Sequence, residues 1–130
     1  MDIIFVDYLQ LLQLESASRT TTREQEVTKI TQTLKRITNL NIPVVAAAQL
    51  NRKAEDSDKP TLAHLRESGS LEQEADAVCF LHHPNDELET SLEFIVAKNR
   101  DGALGECPLY YDKTTQKIQT GVKSTIKLNP

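Results

Sequence analysis

The stretch Asp2-Ile-Ile-Phe-Val-Asp7 is the strongest indication of the fold class, because it sets four apolar residues in a row between two carboxylates. An apolar run that ends in a carboxylate is typical of a strand buried on both faces of a parallel sheet. A second short apolar run, Pro43-Val-Val-Ala-Ala-Ala48, is followed by Gln49. We therefore predict two neighbouring parallel strands over residues 2–7 and 43–48.

The segment between these strands has the pattern of an amphipathic helix from Arg23 to Leu40. Its apolar residues recur at helical spacing, which places them on one face: Val27, Ile30, Leu34 and Ile37. Asn41 and Pro43 are expected to end the helix. Strand, helix and strand in this order form a parallel crossover unit, so the fold class is α/β.

The second half of the chain predicts more strands. Ala75–Leu81 and Leu92–Ala97 are mostly apolar strand candidates, and Pro108–Tyr111 with Lys117–Thr120 is typical of an antiparallel hairpin. Before them, the polar segment Asn51–Pro60 is expected to be a surface loop. We expect residues 122–130 to be a frayed tail, which leaves 1–121 as the folded portion.

Composition excludes several classes of protein. The 130 residues are 38% hydrophobic and 26% charged, with a formal net charge of −4, which argues against a disordered chain and against a basic nucleic-acid coat. The apolar runs are far shorter than the roughly 20 residues that span a bilayer. We expect no membrane partner and, because the first residues lack a secretory pattern, a cytoplasmic location.

Asp7 and Gln49 are the first candidate site residues, because each follows a predicted parallel strand. Ligands of open α/β sheets bind at the carboxyl ends of the strands. Asp7 could hold a hydrated Mg²⁺, and Gln49 could sense a phosphate or orient a water. The alternative is that Asp7 caps the next helix and that Gln49 merely ends a strand.

Two further clusters carry candidate charges. Arg66, Glu67 and Gly69 could contact a nucleic acid through a guanidinium and backbone amides, or could form an ordinary junction between two short helices. Lys98 and Arg100 lie just past a predicted strand, on an exposed turn, where they could be solvated cations or could enter the phosphate site of a neighbouring subunit as an arginine finger. No G-x-x-x-x-G-K-[ST] phosphate loop occurs in the sequence.

Several segments, taken in order, resemble the carboxyl-terminal half of bacterial replicative DNA helicases, the DnaB family, over residues 2–120. The segments that carry the resemblance are Val6-Asp-Tyr-Leu-Gln-Leu11, Glu26-Val27, Pro43-Val-Val-Ala46, Ala48-Gln-Leu-Asn-Arg52, Asp58-Lys-Pro60, Leu65-Arg-Glu-Ser-Gly-Ser-Leu-Glu-Gln-Glu-Ala-Asp76 and Ala97-Lys-Asn-Arg-Asp-Gly102. The resemblance implies a RecA-like P-loop NTPase core with three αβα layers and a mostly parallel sheet.

The resemblance also implies a role for each candidate. Asp7 matches the Walker B carboxylate that supports the Mg²⁺ of ATP, and Gln49 matches the sensor that couples the γ-phosphate to the DNA-binding loops. The loop with Arg66, Glu67 and Gly69 would bind single-stranded DNA. The remaining pair would enter the ATP site of the adjacent subunit: Lys98 and Arg100.

By the same resemblance, the whole protein would be a homohexameric, ATP-dependent helicase that unwinds DNA at the replication fork, with primase and a helicase loader as partners. Its location would be the bacterial cytoplasm or a plastid. The Walker A strand and loop and the catalytic Glu do not occur among these residues, so we expect a partial core that is inactive and unstable alone. The alternative is a non-catalytic, truncated module that binds or regulates a helicase ring.

Overall fold

The computed structural model describes residues 2–15, 21–54, 56–84 and 90–120. Its contacts divide the chain into two compact units. The first comprises residues 1–57 and 61–76, and the second comprises 58–60 and 77–130. The predicted tail at 122–130 lies outside the described residues, so its frayed state and the grouping of residues 1–121 into one portion of a motor domain stay predictions. None of the helices in the described segments is long and apolar enough to cross a membrane.

The first unit contains the predicted crossover. Strand β1 (Ile4–Val6) pairs in parallel with β2 (Val44–Ala46), and helix α1 (Arg23–Thr38) connects them. A short 3₁₀ helix, Leu9–Leu11, follows β1. The α/β prediction for this part of the chain is confirmed, although each strand is shorter than its apolar run.

Local sequence explains where α1 begins and ends. The Thr22 hydroxyl accepts a bond from the Gln25 backbone N–H, and the Gln25 side chain accepts one from the Thr22 N–H, which forms a capping box. The last turn tightens through i+3 bonds, and Asn41 then adopts a left-handed backbone with φ of 60°. The helix therefore ends shortly before the predicted Leu40.

Helix α1 buries one stripe of side chains. Val27 and Ile30 are 2% and 5% exposed, as their helical spacing predicts, and Leu9 and Leu65 lie in the same core. Lys35 near the end of the helix donates to the Asp76 carboxylate at 2.5 Å. Because Leu9 lies in this core, the segment after β1 is held close to α1. Gln10 of the candidate site belongs to that segment.

The prediction that β1 is buried on both faces is wrong for this structure. Phe5 is 71% exposed, and its register partner Val45 is 50% exposed on the same face of the sheet. Ile4 and Val6 are only half-buried. The apolar run does form a strand, but among the described residues nothing covers this face.

The polar segment after β2 is mostly loop, with a 3₁₀ turn at Arg52–Ala54. A longer 3₁₀ helix, Leu62–Ser68, runs directly into helix α2 (Gly69–Glu74). Two short helices meet at Gly69, as predicted, but Gly69 is the first residue of α2 and does not break the chain of helical residues; its backbone is right-handed and helical, with φ of −52° and ψ of −26°.

The second unit is an antiparallel meander of four strands, ordered β3, β4, β5, β6. The strands are β3 (Ala77–His82), β4 (Ser91–Asn99), β5 (Gly105–Asp112) and β6 (Lys117–Thr120). Phe80 and Ile95 face each other across β3 and β4 and are the buried apolar residues of this sheet. Lys59 forms ion pairs with Glu93 at 3.1 Å and Glu106 at 2.7 Å.

The predicted hairpin over β5 and β6 is confirmed. The expectation of a mostly parallel sheet, however, holds in the described segments only for β1 and β2. Strands β4, β5 and β6 follow one another through turns of a few residues, and such turns permit only antiparallel neighbours. A parallel pair needs a crossover, which in the described part of the chain α1 alone provides.

Candidate functional site

Asp7 and Gln49 lie after the two strands that pair in parallel. Asp7 follows Val6 directly, and Gln49 lies three residues beyond Ala46, the register partner of Val6. Both residues are exposed. The Asp7–Tyr8 peptide bond is cis, and the chain turns there into the 3₁₀ helix. The structure therefore brings the predicted carboxylate and amide to the same edge of the sheet.

A third residue fixes the backbone at Gln49. The Gln10 side-chain amide donates from Nε2 to the Gln49 carbonyl and accepts at Oε1 from the Gln49 N–H, both at 3.2 Å. We call this two-bond contact the Gln10 clamp. It joins the segment after β1 to the segment after β2.

Arg23, the first residue of α1, holds the segment that carries Gln10. Its guanidinium donates to the Gln10 carbonyl at 2.7 Å and to the Leu12 carbonyl at 3.1 Å, and it forms an ion pair with Glu26. Glu26 also accepts from the Leu14 N–H at 2.9 Å. The Leu14 bond first, and Arg23 second, lower the pKa of the Glu26 carboxyl.

A small cavity of about 50 Å³ adjoins the clamp. Its lining residues are Gln10, Arg23, Val27, Gln49, Asn51, His64 and Leu65. His64 stabilises this region: its carbonyl accepts from Asn51 N–H at 3.0 Å, and its Nδ1 accepts from Thr61 N–H at 3.0 Å. With Nδ1 accepting, neutral His64 carries its proton on Nε2, which lies 3.3 Å from the Ser57 hydroxyl.

The predicted nucleic-acid loop has a defined backbone. Arg66 and Glu67 lie in the last turns of the 3₁₀ helix, and Gly69 is the first residue of α2. A Cβ added at Gly69 would meet nothing within 4 Å. The fold of this chain therefore gives no steric reason for a glycine at this position.

Lys98 and Arg100 lie at the end of β4 in the second unit. The prediction of an exposed turn is wrong for Lys98, which is half-buried within β4 and pairs in register with Val78, because the strand continues to Asn99. Arg100 is exposed in the turn toward β5, as predicted. The Asn99 side-chain amide donates to the Ala103 carbonyl at 3.3 Å, and a Cβ at Gly102 would collide with that amide. Gly102 thus permits the bond that shapes the turn.

The residues that fix the site were not predicted from sequence patterns. Gln10 lies in the motif Val6–Leu11, but the motif alone assigns it no role. Arg23 begins α1, as predicted, and its guanidinium also donates to two backbone carbonyls, which the sequence pattern does not indicate. The partners of the Gln10 clamp are 39 residues apart, and no local spacing encodes such a contact.

The side chains fit a nucleotide-bound metal better than a resident one. In the described segments, no three His, Cys, Asp or Glu side chains group so that they could hold an ion. Mg²⁺ keeps most of its waters and commonly binds through one or two carboxylates together with substrate phosphates. The exposed carboxylate of Asp7 is compatible with that second arrangement.

A parallel crossover with a carboxylate after one strand and an amide after its neighbour defines an α/β core that could bind a ligand at this edge of the sheet. Solved structures with this fold agree. A structure titled as an ATPase domain superposes with a TM-score of 0.81 and 35% identity over 92% of this chain and 44% of that one. A second, titled as a DnaB-like replicative helicase and its interactions with primase, gives 0.76 and 38% over 85% of this chain and 29% of that one. The prediction of a partial RecA-like core is confirmed.

The chain belongs to the family of the DnaB-like helicase C-terminal domain, whose model matches residues 1–120. It is 36% identical to the replicative DNA helicase DnaB of Rickettsia felis, over 99% of this chain and 31% of that protein. It is 42% identical to the corresponding helicase of Mycoplasma genitalium, over 89% and 27%. The chain thus spans less than a third of the length of these relatives.

Proposed function

We propose that this chain forms part of the motor of an ATP-dependent replicative DNA helicase, which unwinds duplex DNA by translocating on single-stranded DNA. The observation that carries the proposal is the parallel pairing of β1 with β2, because it places Asp7 and Gln49 at one edge of the sheet. The family match over residues 1–120 supports it. Its cofactors are ATP and Mg²⁺.

At the nucleotide site, Asp7 would hold the Mg²⁺ of ATP through water. The metal, when bound, neutralises charge on the transferring phosphate. Gln49 contacts the γ-phosphate and couples the presence of that phosphate to the DNA-binding loop. The exposure of both residues, with the Gln49 backbone fixed by the Gln10 clamp, supports these roles.

Arg66, Glu67 and Gly69 form the loop that grips the phosphate backbone of single-stranded DNA. Close approach of a phosphate to the peptide backbone needs a residue without a side chain. The open space around Gly69 supports this role, because packing within the chain does not require the glycine.

Lys98 and Arg100 act on the ATP bound by an adjacent subunit, where they stabilise the charge that develops on the phosphoryl group. The exposure of Arg100 in a turn shaped by Asn99 supports this role. The assembly is a homohexameric ring in the cytoplasm, and primase and a helicase loader are its further partners.

The test uses the full reading frame that contains this chain, with Asp7→Asn as the variant. Loss of the Asp7 charge should lower ATP turnover and DNA unwinding by about 100-fold, because charge stabilisation at a metal contributes several kcal/mol. Asp2→Asn is the matched control, since Asp2 is an exposed carboxylate at the other end of the same apolar run. It should retain the turnover of the unmodified protein.

Turnover that survives Asp7→Asn would contradict the proposal. A full reading-frame product that binds a helicase ring without hydrolysing ATP would favour the second candidate, a regulatory module. The absence of a phosphate-loop motif from these 130 residues is the observation that keeps this candidate in the test.

A further inference from the structure

Backbone pairing between the two strands continues past the last ladder pair and then stops. The Ala47 N–H donates to the Val6 carbonyl at 2.8 Å, and the Leu9 N–H donates to the Ala47 carbonyl at 2.9 Å. Beyond Leu9, the N–H groups of Leu11 and Leu12 bond back to Tyr8 and Leu9 within the 3₁₀ helix. The backbone after β1 therefore cannot pair with Gln49 as it pairs with Ala47.

The Gln10 side chain takes the place of the missing backbone partner. A primary amide carries one donor group and one acceptor on the same plane, as a peptide unit does. Its two bonds reach the N–H and the carbonyl of Gln49, so they continue the pattern of bonds along this edge by one more residue pair. The Gln49 backbone is held while its residue remains exposed.

The backbone of Gln10 is itself held in place by helix α1. Arg23 donates to the Gln10 carbonyl and the Leu12 carbonyl, and it belongs to a helix whose Val27 is 2% exposed. Gln10 is thus tied by its backbone to a packed helix and by its side chain to Gln49. A change at the Gln49 backbone cannot occur without breaking bonds to Gln10.

We infer that Gln10 is a positioning residue for Gln49: its amide holds the sensor backbone at the sheet edge so that the sensor side chain meets the γ-phosphate in one geometry. This inference rests on the proposed function, because it needs Gln49 to act in ATP hydrolysis. In this inference Gln10 acts through Gln49 and not by its own contact with nucleotide or DNA. A displacement of a reacting or sensing group by about 1 Å can lower the rate about 100-fold, so a contact that holds the backbone of such a group can strongly affect turnover.

Gln10→Glu is the sharpest variant, because Glu has the same length and retains an acceptor but has no donor for the Gln49 carbonyl. In the full reading-frame protein, Gln10→Glu and Gln10→Ala should lower DNA-stimulated kcat by about 10- to 100-fold. The KM for ATP should change by less than about 2-fold, since ground-state binding is untouched. Gln13→Ala changes an exposed glutamine on the same segment; it is the control and should match the unmodified protein.

The double variant separates this inference from the proposed function. Gln10→Ala combined with Gln49→Ala should turn over no more slowly than Gln49→Ala alone, because both changes disable the same sensor. If Gln49→Ala leaves kcat unchanged, the proposed role of Gln49 is wrong. If Gln49→Ala lowers kcat but Gln10→Glu does not, the clamp inference is overturned while the proposed function stands.

Two other results would overturn the clamp. One is a double variant well below Gln49→Ala, which means that Gln10 acts on something besides Gln49. The other is a Gln10→Glu variant whose ATP KM rises together with its loss of kcat, which indicates general disruption of the nucleotide site rather than a displaced sensor.

Discussion

The described residues around Gly69 do not require a glycine at this position. Its backbone is right-handed and helical, where alanine is favoured, and the space at its Cβ position is empty. A glycine in such a place lowers stability by increasing the freedom of the unfolded chain. A glycine that the fold does not need is consistent with one that a ligand needs.

Gly69→Ala should therefore separate folding from DNA binding. The melting temperature should stay equal or rise, because alanine at a compatible position stabilises by up to about 1 kcal/mol. Affinity for single-stranded DNA in the full reading-frame protein should fall by about 10-fold, the equivalent of about 1.4 kcal/mol. Thermal unfolding and fluorescence anisotropy with a labelled oligonucleotide measure the two effects.

The matched control is Gly105→Ala, since Gly105 also has nothing within 4 Å of its Cβ position and lies in the other unit. It should leave DNA affinity unchanged. Equal affinity of Gly69→Ala and the unmodified protein would contradict the assignment of this loop to DNA.

Residue patterns predicted the exposed site residues Asp7 and Gln49 but not the hydrogen bonds that hold their segments in place. Asp7 and Gln49 follow apolar runs, so the rule that parallel strands end at one edge was enough to pair them. The Gln10 clamp and the bonds of Arg23 connect side chains to distant backbone groups. Such contacts depend on how the chain turns after β1, which hydrophobic periodicity does not record.

Among the elements, the hairpin of β5 and β6 is the clearest case of local sequence control. The Asp112 carboxylate accepts four bonds across the turn, from the backbone N–H and the hydroxyl of both Thr114 and Thr115. These bonds, with the Thr114 hydroxyl the largest cause, lower the pKa of Asp112 from 3.8 to about 2. Gln116 completes the turn with a left-handed backbone.

This depressed pKa makes the hairpin sensitive to acid. The folded carboxyl titrates below its unfolded value, so its contribution to stability is present above about pH 4 and is lost as the pH falls toward 2. A ¹³C NMR titration of the Asp112 carboxyl should give a midpoint near 2. Thr115→Val removes one hydroxyl donor and should raise that midpoint.

A midpoint at 3.8, the ordinary value for this group, in the unmodified chain would contradict the turn geometry. Insensitivity to Thr115→Val would mean that the hydroxyl bond of Thr115 does not form. Neither result tests the proposed nucleotide site, because Asp112 belongs to the second unit and Asp7 to the first.

Element boundaries were predictable where caps or turns are local. Helix α1 begins after a Thr22 cap and ends just before the left-handed Asn41, close to the predicted limits. Burial was less predictable. Phe5 belongs to a run typical of a doubly buried strand, yet it is 71% exposed, because burial depends on what packs over a strand and not on the strand itself.

At the scale of the whole molecule, Phe5 and Val45 form an exposed apolar face. This exposure is consistent with a chain that matches only part of the length of its relatives. Relatives are more than three times as long as the part that it matches. The sequence has no phosphate-loop motif, so the chain by itself is expected to hydrolyse no ATP.

The proposed motor requires that neighbouring subunits share each ATP site, and a mixture of two inactive variants can show whether they do. Asp7→Asn should impair the ATP site of the subunit that carries the change. Arg100→Ala should impair the ATP site of the adjacent subunit, on which Arg100 acts. In rings formed from an equal mixture, about a quarter of the interfaces would join an intact Asp7 to an intact Arg100. We predict that ATP turnover, which is strongly lowered in rings of either variant alone, rises in the mixture. Mixed rings that assemble and bind nucleotide but recover no turnover would contradict a shared site.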